Sequence, residues 1–275
     1  MTDRRITPAN ARVAHVSLKG RVEADRFTEG EPARVTRPVA NLLARPDGAR
    51  DRQILYGESV LVLDRHEGYA FIRADKDHYC GYVAEEALGE AREATHWVSA
   101  PATHLYPDPS IKSREVAALS HGSRLTITAE FPRFCETADG LFVPRPHVRA
   151  IGDWTDDPVG VAESLLGTPY LWGGNSRSGL DCSGLVQAAL VAAGIACPGD
   201  SDLQREALGA DLPPGEPYRR GDLFFWKGHV AIAVSSDRLI HANGLHMAVG
   251  YEDIDACIAR IDDQGEGPLL AVKRL

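Results

Sequence analysis

The 275-residue sequence has little with which to staple or anchor itself. Its five cysteines, Cys80, Cys135, Cys182, Cys197 and Cys257, are odd in number, widely scattered and form no C-x-x-C pair. That excludes a disulfide framework and a cysteine-rich zinc site. No stretch reaches the roughly 18 apolar residues of a membrane span, and residues 1–30 lack the apolar run of a signal peptide, so a cytoplasmic chain is expected. Positive charge is also short: 30 Lys and Arg stand against 39 Asp and Glu, a net charge of −9. Nucleic acid and anionic membranes, which need clustered cations, are therefore not expected as partners. What is present, 44% hydrophobic and 25% charged residues with 26 Gly and 17 Pro, excludes collagen, coiled coil and wholesale disorder. The length suits one large domain or two to three small ones.

Charge and pattern divide the chain. Residues 1–150 balance 21 basic against 21 acidic side chains, whereas 151–275 carry 9 against 18 and hence the whole −9. Residues 1–33 have no sustained period and are expected as an N-terminal arm. From Val39 short apolar runs of period two alternate with turn residues: Ile54-Leu-Tyr, Ser59-Val-Leu-Val-Leu, Tyr69-Ala-Phe-Ile, Tyr79-Cys-Gly-Tyr-Val. Such spacing predicts a small barrel or sandwich. A looser copy follows, with Gly57 and Gly122 65 residues apart and Tyr82-Val83 and Phe142-Val143 60 apart. Through Leu55-Tyr56-Gly57-Glu58 and Tyr79-Cys80-Gly81-Tyr82 the first copy resembles bacterial SH3-like domains. The expectation is two tandem all-β SH3-like barrels, 34–92 and 93–152, followed by an α+β domain, 153–275.

In that last domain Asp157-Pro158 signals a helix start, with Val161, Ala162, Leu165 and Leu166 as its apolar stripe and Gly167 as its stop. A second helix is predicted from Cys182 to Ala193, closed by Gly194, and strands follow from Leu223 onwards. Cys182 therefore stands at a helix N-terminus, where unpaired N–H groups favour a nucleophilic thiolate and are expected to lower its pKa. Cys80, Cys197 and Cys257 lack that setting and read as structural.

A thiolate nucleophile needs a base and a group to orient it. His229 opens a strand 47 residues after Cys182, and His241 lies 12 further on in the next strand. Neighbouring antiparallel strands can bring the two rings within hydrogen-bonding range, with His229 as base and His241 fixing its tautomer. His246, in a turn, reads as a surface residue. Zinc held by Cys182, His229, His241 and His246 is disfavoured, because the short paired ligand spacings are absent; no metal and no cofactor is expected.

Together, Gly167-Thr-Pro-Tyr170-Leu-Trp172-Gly-Gly, Gly179-Leu-Asp181-Cys182-Ser183-Gly184-Leu, Arg220-Gly-Asp222-Leu, Gly228-His229-Val and Leu239-Ile-His241-Ala-Asn resemble the NlpC family of papain-like murein cysteine peptidases. The resemblance implies a Cys182, His229, His241 triad, with Tyr170 near the oxyanion site or, alternatively, packed beside Trp172. With SH3-like domains in front, it points to γ-D-glutamyl-L-diamino acid endopeptidases, which trim murein stem peptides bearing a free N-terminal L-Ala. It implies substrate-binding roles for Asp181, Ser183, Asp200 and Ser201, and for Glu58 and Tyr79 from the first barrel. Ser201-x-x-Gln204 also reads as a helix capping box. The alternatives are a non-catalytic wall-peptide binder, or an amidase or acyltransferase on the same fold.

Overall fold

The period-two pattern from Val39 onwards buries one side of each strand, and the chain responds with sheets joined by tight turns. The computed structural model describes residues 3–275 and divides into two units, Met1–Asp153 and Trp154–Leu275.

In the first unit seven strands form a single antiparallel sheet: Glu31–Val35, Val39–Leu43, Arg50–Leu55, Ser59–His66, Tyr69–Ala74, Cys80–Ala84 and Leu88–Glu90. Val35, Leu42, Ile54, Val62, Ile72 and Val83 meet inside it. Its first strand begins within the segment expected as an arm. The rest of that arm is held by Val13, which packs on Leu63, Phe71 and Cys80, and by Arg12 on Asp64; residues 1 and 2 lie outside the described residues. Residues 96–150 gather a separate cluster, Val98, Leu105, Leu119, Leu125, Cys135 and Val143, under three smaller sheets of two or three strands. Tyr56 joins that cluster, and its hydroxyl donates to Asp139 at 2.8 Å. Beside it Gly57 has φ +75°, and a Cβ there would lie 2.0 Å from the Arg124 carbonyl oxygen. Glycine is required on both counts.

The second unit is built from four helices, α1 Pro158–Ser164, α2 Cys182–Ala192, α3 Ser201–Ala207 and α4 Ile254–Asp263, a two-stranded hairpin of Asn175–Ser176 with Gly179–Leu180, and one six-stranded sheet. Its strands are β1 Ala210–Asp211, β2 Leu223–Trp226, β3 His229–Ala233, β4 Arg238–Asn243, β5 Ala248–Asp253 and β6 Ala271–Arg274, in the spatial order β1-β6-β2-β3-β4-β5. Every pairing along it is antiparallel. Asp157 caps α1 by accepting from Gly160 N–H at 3.0 Å, and Gly194, at φ +74°, ends α2. Buried Asp222 accepts from Arg274 at 2.7 and 2.8 Å, tying the start of β2 to β6. No helix among the described residues is long and apolar enough to cross a membrane.

Alternation along the strands gives this sheet two different faces. Leu223, Phe225, Val230, Ile232, Ile240 and Ala242 pack with α1 and α2. Phe224, Trp226, Ala231, Ala233 and Leu239 pack with Ile254, Cys257 and Ile261 of α4. Helix α4 interrupts the expected order of helices first and sheet second. Its signals were Asp253, whose side chain accepts from Ala256 N–H at 2.9 Å, and the helical spacing of Ile254, Cys257, Ile258 and Ile261.

Candidate active site

Helix α2 starts at Cys182 because Asp181 caps it. One Asp181 oxygen accepts from Gly184 N–H at 2.6 Å and from the Ser183 hydroxyl at 3.0 Å, and the other accepts from Gly173 N–H at 2.9 Å. Position 184 must be glycine, since a Cβ there would meet the Gly174 carbonyl oxygen at 2.5 Å. The Asp-Cys-Ser-Gly run thus encodes a cap, a thiol in the first turn and a close approach of backbone behind it. Asp181 and Ser183 are bonded to each other and to that turn.

Cys182 as a residue is 7% exposed, against 2% or less for the other four cysteines. Its Sγ lies 3.9 Å from the carbonyl oxygen of Gly228, the residue before His229, and backbone N–H groups of Val230 and Ser183 bear on the sulfur. The helix start does not by itself lower its pKa as expected. Burial, followed by the Asp181 charge, pushes the thiol up to about 12, outweighing those N–H groups. The reason is that removing water from a thiolate costs more than a few backbone dipoles return.

His229 opens β3 and His241 lies on β4. The His229 Nε2 and His241 Nδ1 atoms are 2.8 Å apart, and the rings meet at 61°. Burial, then the positive charge available on His241 and Arg260, pulls His229 down to about 3. At neutral pH burial keeps both the thiol and the imidazole neutral. Moving the thiol proton to the ring charges both at once, and each new charge then offsets the desolvation of the other.

His241 is fully buried, and behind it stands a residue that the sequence reading missed. Its Nε2 lies 3.1 Å from Glu252 Oε2. Glu252 in turn accepts from Arg260 Nε at 2.7 Å and from Nη2 at 2.8 Å. Burial alone would raise the Glu252 carboxyl; hydrogen bonds from Arg260 and His241 instead hold it well below the usual carboxylate range. A signal existed: on β4 and β5, Leu239 pairs with Glu252 and His241 with Gly250, which puts Glu252 one diagonal from His241. Without α4 in the reading, Arg260 had no place beside them.

Tyr170 is half-buried on the α2 side of the sheet and packs with that cluster. Burial first, then Cys182 and Asp181 nearby, pushes its phenol up to about 12, so it is a neutral donor at any working pH. Asp200 is the N-cap residue of α3 and Ser201 its first helical residue. The expected Ser201 to Gln204 capping box is therefore not formed. The Gln204 amide instead donates to the carbonyls of Ser183 at 2.9 Å and Pro198 at 3.0 Å, and so ties the start of α3 to the first turn of α2. Glu58 and Tyr79 belong to the first unit, both buried; Glu58 accepts from Lys76 at 2.8 Å, and Arg52 lies over the Tyr79 ring. His246 is exposed, with its backbone N–H on Asn243. Trp172 is 68% exposed.

A cleft of about 480 Å³ opens beside His229, lined also by Asn243, Leu245, Arg260, Gln264 and Glu266. Among the described residues, the grouping with metal-ligand character is His241, Glu252 and Cys257, with ligand atoms within 4.8 Å of one another. Arg260 already fills it: its guanidinium takes both Glu252 oxygens and lies 3.7 Å from the Cys257 sulfur. A second cation there would meet a fixed positive charge.

Residues 167–259 match the NlpC/P60 family, and residues 42–88 match the bacterial dipeptidyl-peptidase Sh3 domain. A gamma-D-glutamyl-L-lysine dipeptidyl-peptidase of Bacillus cereus is 27% identical over 70% of this chain and 67% of its own. The Bacillus subtilis protein of the same name is 28% identical over 71% of this chain and 73% of its own. A solved NlpC/P60 family structure from Bacillus cereus superposes with a TM-score of 0.74 at 21% identity, covering 89% of this chain and 99% of that one.

Proposed function

We propose that this chain, which carries an NlpC/P60 domain after a bacterial SH3 domain, is a cysteine peptidase of cell-wall peptides that cuts the bond between γ-D-Glu and the following diamino acid. The observation that carries this reading is the Cys182 thiol at the α2 N-terminus, against the Gly228-His229 turn, with His229 hydrogen-bonded to a wholly buried His241. The names of the Bacillus relatives support the bond and the substrate class. The small sheets of 96–150, with an apolar cluster of their own, are read as a second, degenerate SH3-like barrel.

In this mechanism the ring nitrogen of His229 not engaged by His241, Nδ1, takes the Cys182 proton as Sγ attacks the amide carbon. Negative charge develops on the carbonyl oxygen, and the N–H groups of the first α2 turn and the neutral Tyr170 hydroxyl are its donors. The imidazolium then gives its proton to the leaving amine as the C–N bond breaks, leaving a thioester. Water attacks that thioester with His229 again as base, and the acid departs with the thiol restored. Each histidine role follows the order used by cysteine and serine triads generally.

The substrate is read as a stem already freed from its sugar, with an L-Ala ammonium to recognise. Asp200 and Ser201, held beside the α2 turn by Gln204, are the residues assigned to it. The test is a defined muropeptide panel separated by mass spectrometry. L-Ala-γ-D-Glu-diamino acid peptides should be cleaved after D-Glu, and N-acetylation of the alanine should cost about a hundredfold in kcat/KM, the scale of an ion pair losing one partner. Equal rates on free and acetylated peptides would remove the amino-end reading, and loss of no activity in Cys182→Ala would remove the peptidase reading itself.

A further inference from the structure

The chain of contacts His229, His241, Glu252, Arg260 runs from the thiol's base to a buried ion pair, and with both rings neutral its donors and acceptors can be assigned in only one consistent way. Glu252 offers no proton: Arg260 donates to both of its oxygens, at 2.7 and 2.8 Å. A carboxylate held in this state only accepts, so the hydrogen between His241 Nε2 and Glu252 Oε2, 3.1 Å apart, belongs to His241. A neutral imidazole with its hydrogen on Nε2 has a bare Nδ1. The 2.8 Å contact between His241 Nδ1 and His229 Nε2 then needs its hydrogen from His229. Neutral His229 with its hydrogen on Nε2 keeps a bare Nδ1, which is the lone pair a thiol can protonate.

From this we infer that Glu252, anchored by Arg260 of α4, is a positioning residue that sets the tautomer of both histidines and so makes Nδ1 of His229 the base. The inference deepens the peptidase reading and rests on it for its consequence, though not for its geometry. Reversing the proton on His241 would reverse it on His229 and leave the thiol facing an N–H. The carboxylate contributes a second effect of the same sign: a fixed negative charge two hydrogen bonds from His229 favours the imidazolium formed in each half-reaction. The other titratable or charged groups bearing on the two rings are Arg260, which opposes this, and His246; Cys182 lies against the carbonyl of Gly228, the residue before His229. Cys257 lies behind Glu252 with its thiol pushed up to about 12 by burial, so it stays neutral.

The first test needs no variant. Nitrogen-15 NMR of histidine-labelled wild-type protein, at a pH where both rings are neutral, should show Nε2–H with bare Nδ1 on His229 and on His241. A dominant Nδ1–H form of His229 would overturn the inference. The second test is Glu252→Gln, nearly the same shape but able to accept at only one atom while donating at the other. It should mix the tautomers, lower kcat by about a hundredfold with KM within about twofold, and move the acid limb of the kcat/KM profile, where His229 takes up its proton, to lower pH as the imidazolium loses its anion. An unmoved limb with unmixed tautomers would assign Glu252 a structural role only. The two readings fail separately: activity retained by Cys182→Ala removes the peptidase mechanism and leaves the spectra to be judged alone, whereas a dead Cys182→Ala with Nδ1–H on His229 removes only the role of Glu252.

Discussion

The two faces of the six-stranded sheet are built to different ends. On the α1 and α2 face, Leu185, Val186 and Leu190 of the helix meet Val230, Ile232 and Ile240 of the strands. On the α4 face, apolar Phe224, Trp226, Leu239 and Ile261 enclose a line of polar groups, His241, Glu252 and Arg260. Apolar burial is non-directional and stabilises at roughly 25 cal/mol per Å², so the first face holds α2 in place without specifying any proton. The second gives up part of that burial for hydrogen bonds of fixed donor and acceptor sense, which stabilise less on balance but fix orientation. Chemistry at the end of β3 draws on both: the helix that presents the thiol is set by one face, and the base is set by the other.

The largest expected separation between them is kinetic. His229→Ala removes the base at the first residue of β3, where the side chain is only half-buried, and should lower kcat by about a thousandfold or more. Unfolding in urea should shift by less than about 1 kcal/mol. Under the same reading, iodoacetamide should modify Cys182 in wild-type protein faster than the four more deeply buried cysteines, and His229→Ala should abolish that preference. Retained turnover in His229→Ala would break the assignment of the base to this strand.

The reverse pattern is expected on the apolar face. Leu185 has no exposure, and Leu185→Ala should destabilise the fold by about 2–5 kcal/mol through lost burial and the cavity left behind, measured by urea denaturation. Enzyme that remains folded should keep its pH profile, because the Leu185 side chain neither carries a proton in the reaction nor hydrogen-bonds a group that does. A shifted profile in Leu185→Ala would show that the division between the faces is not real.

How far the sequence carried this picture also differs by face. Cys182 and the α2 stripe were legible because a helical period and a glycine stop are local signals, whereas Asp181 was expected to bind substrate and its capping of α2 came from the structure. His229 and His241 were legible as a pair because adjacent antiparallel strands put residues of the same parity side by side. Glu252 and Arg260 were not, since their place depends on the β4–β5 register and on α4 folding back over the sheet, both of which are non-local. The same limit applies to the thiol. Helix position can be read from sequence, but the burial that raises its pKa depends on what β3 and its turn place around it. In the first unit the seven-stranded sheet followed from period two, whereas the looser strands of 96–150 broke into three sheets, a division that short runs cannot specify.

The smallest effect expected is the pH dependence of stability, and it separates the histidines from the carboxylate on the polar face. Burial lowers His241 below its ordinary 6.5 and brings His229 down to about 3, so unfolded chains bind protons at these rings more readily than folded ones. Stability then falls as pH drops below 6.5, by up to about 1.4 kcal/mol per pH unit for each ring fully kept neutral. Glu252 is held well below its ordinary 4.5. Its contribution is complete above 4.5 and is lost only as pH falls further. Between 6.5 and 4.5 the loss therefore belongs to the histidines and not to Glu252. His147 of the first unit, also lowered by burial, adds to the wild-type slope, and so the informative quantity is a difference between proteins. His241→Gln, which cannot take up a proton, should lose less Tm between pH 7.5 and 5.5 than the wild type does. Equal losses would mean that His241 is already protonated against Glu252 in the folded protein. The hydrogen between the two rings would then come from His241, and the polar face would be a salt bridge instead of a relay of neutral rings.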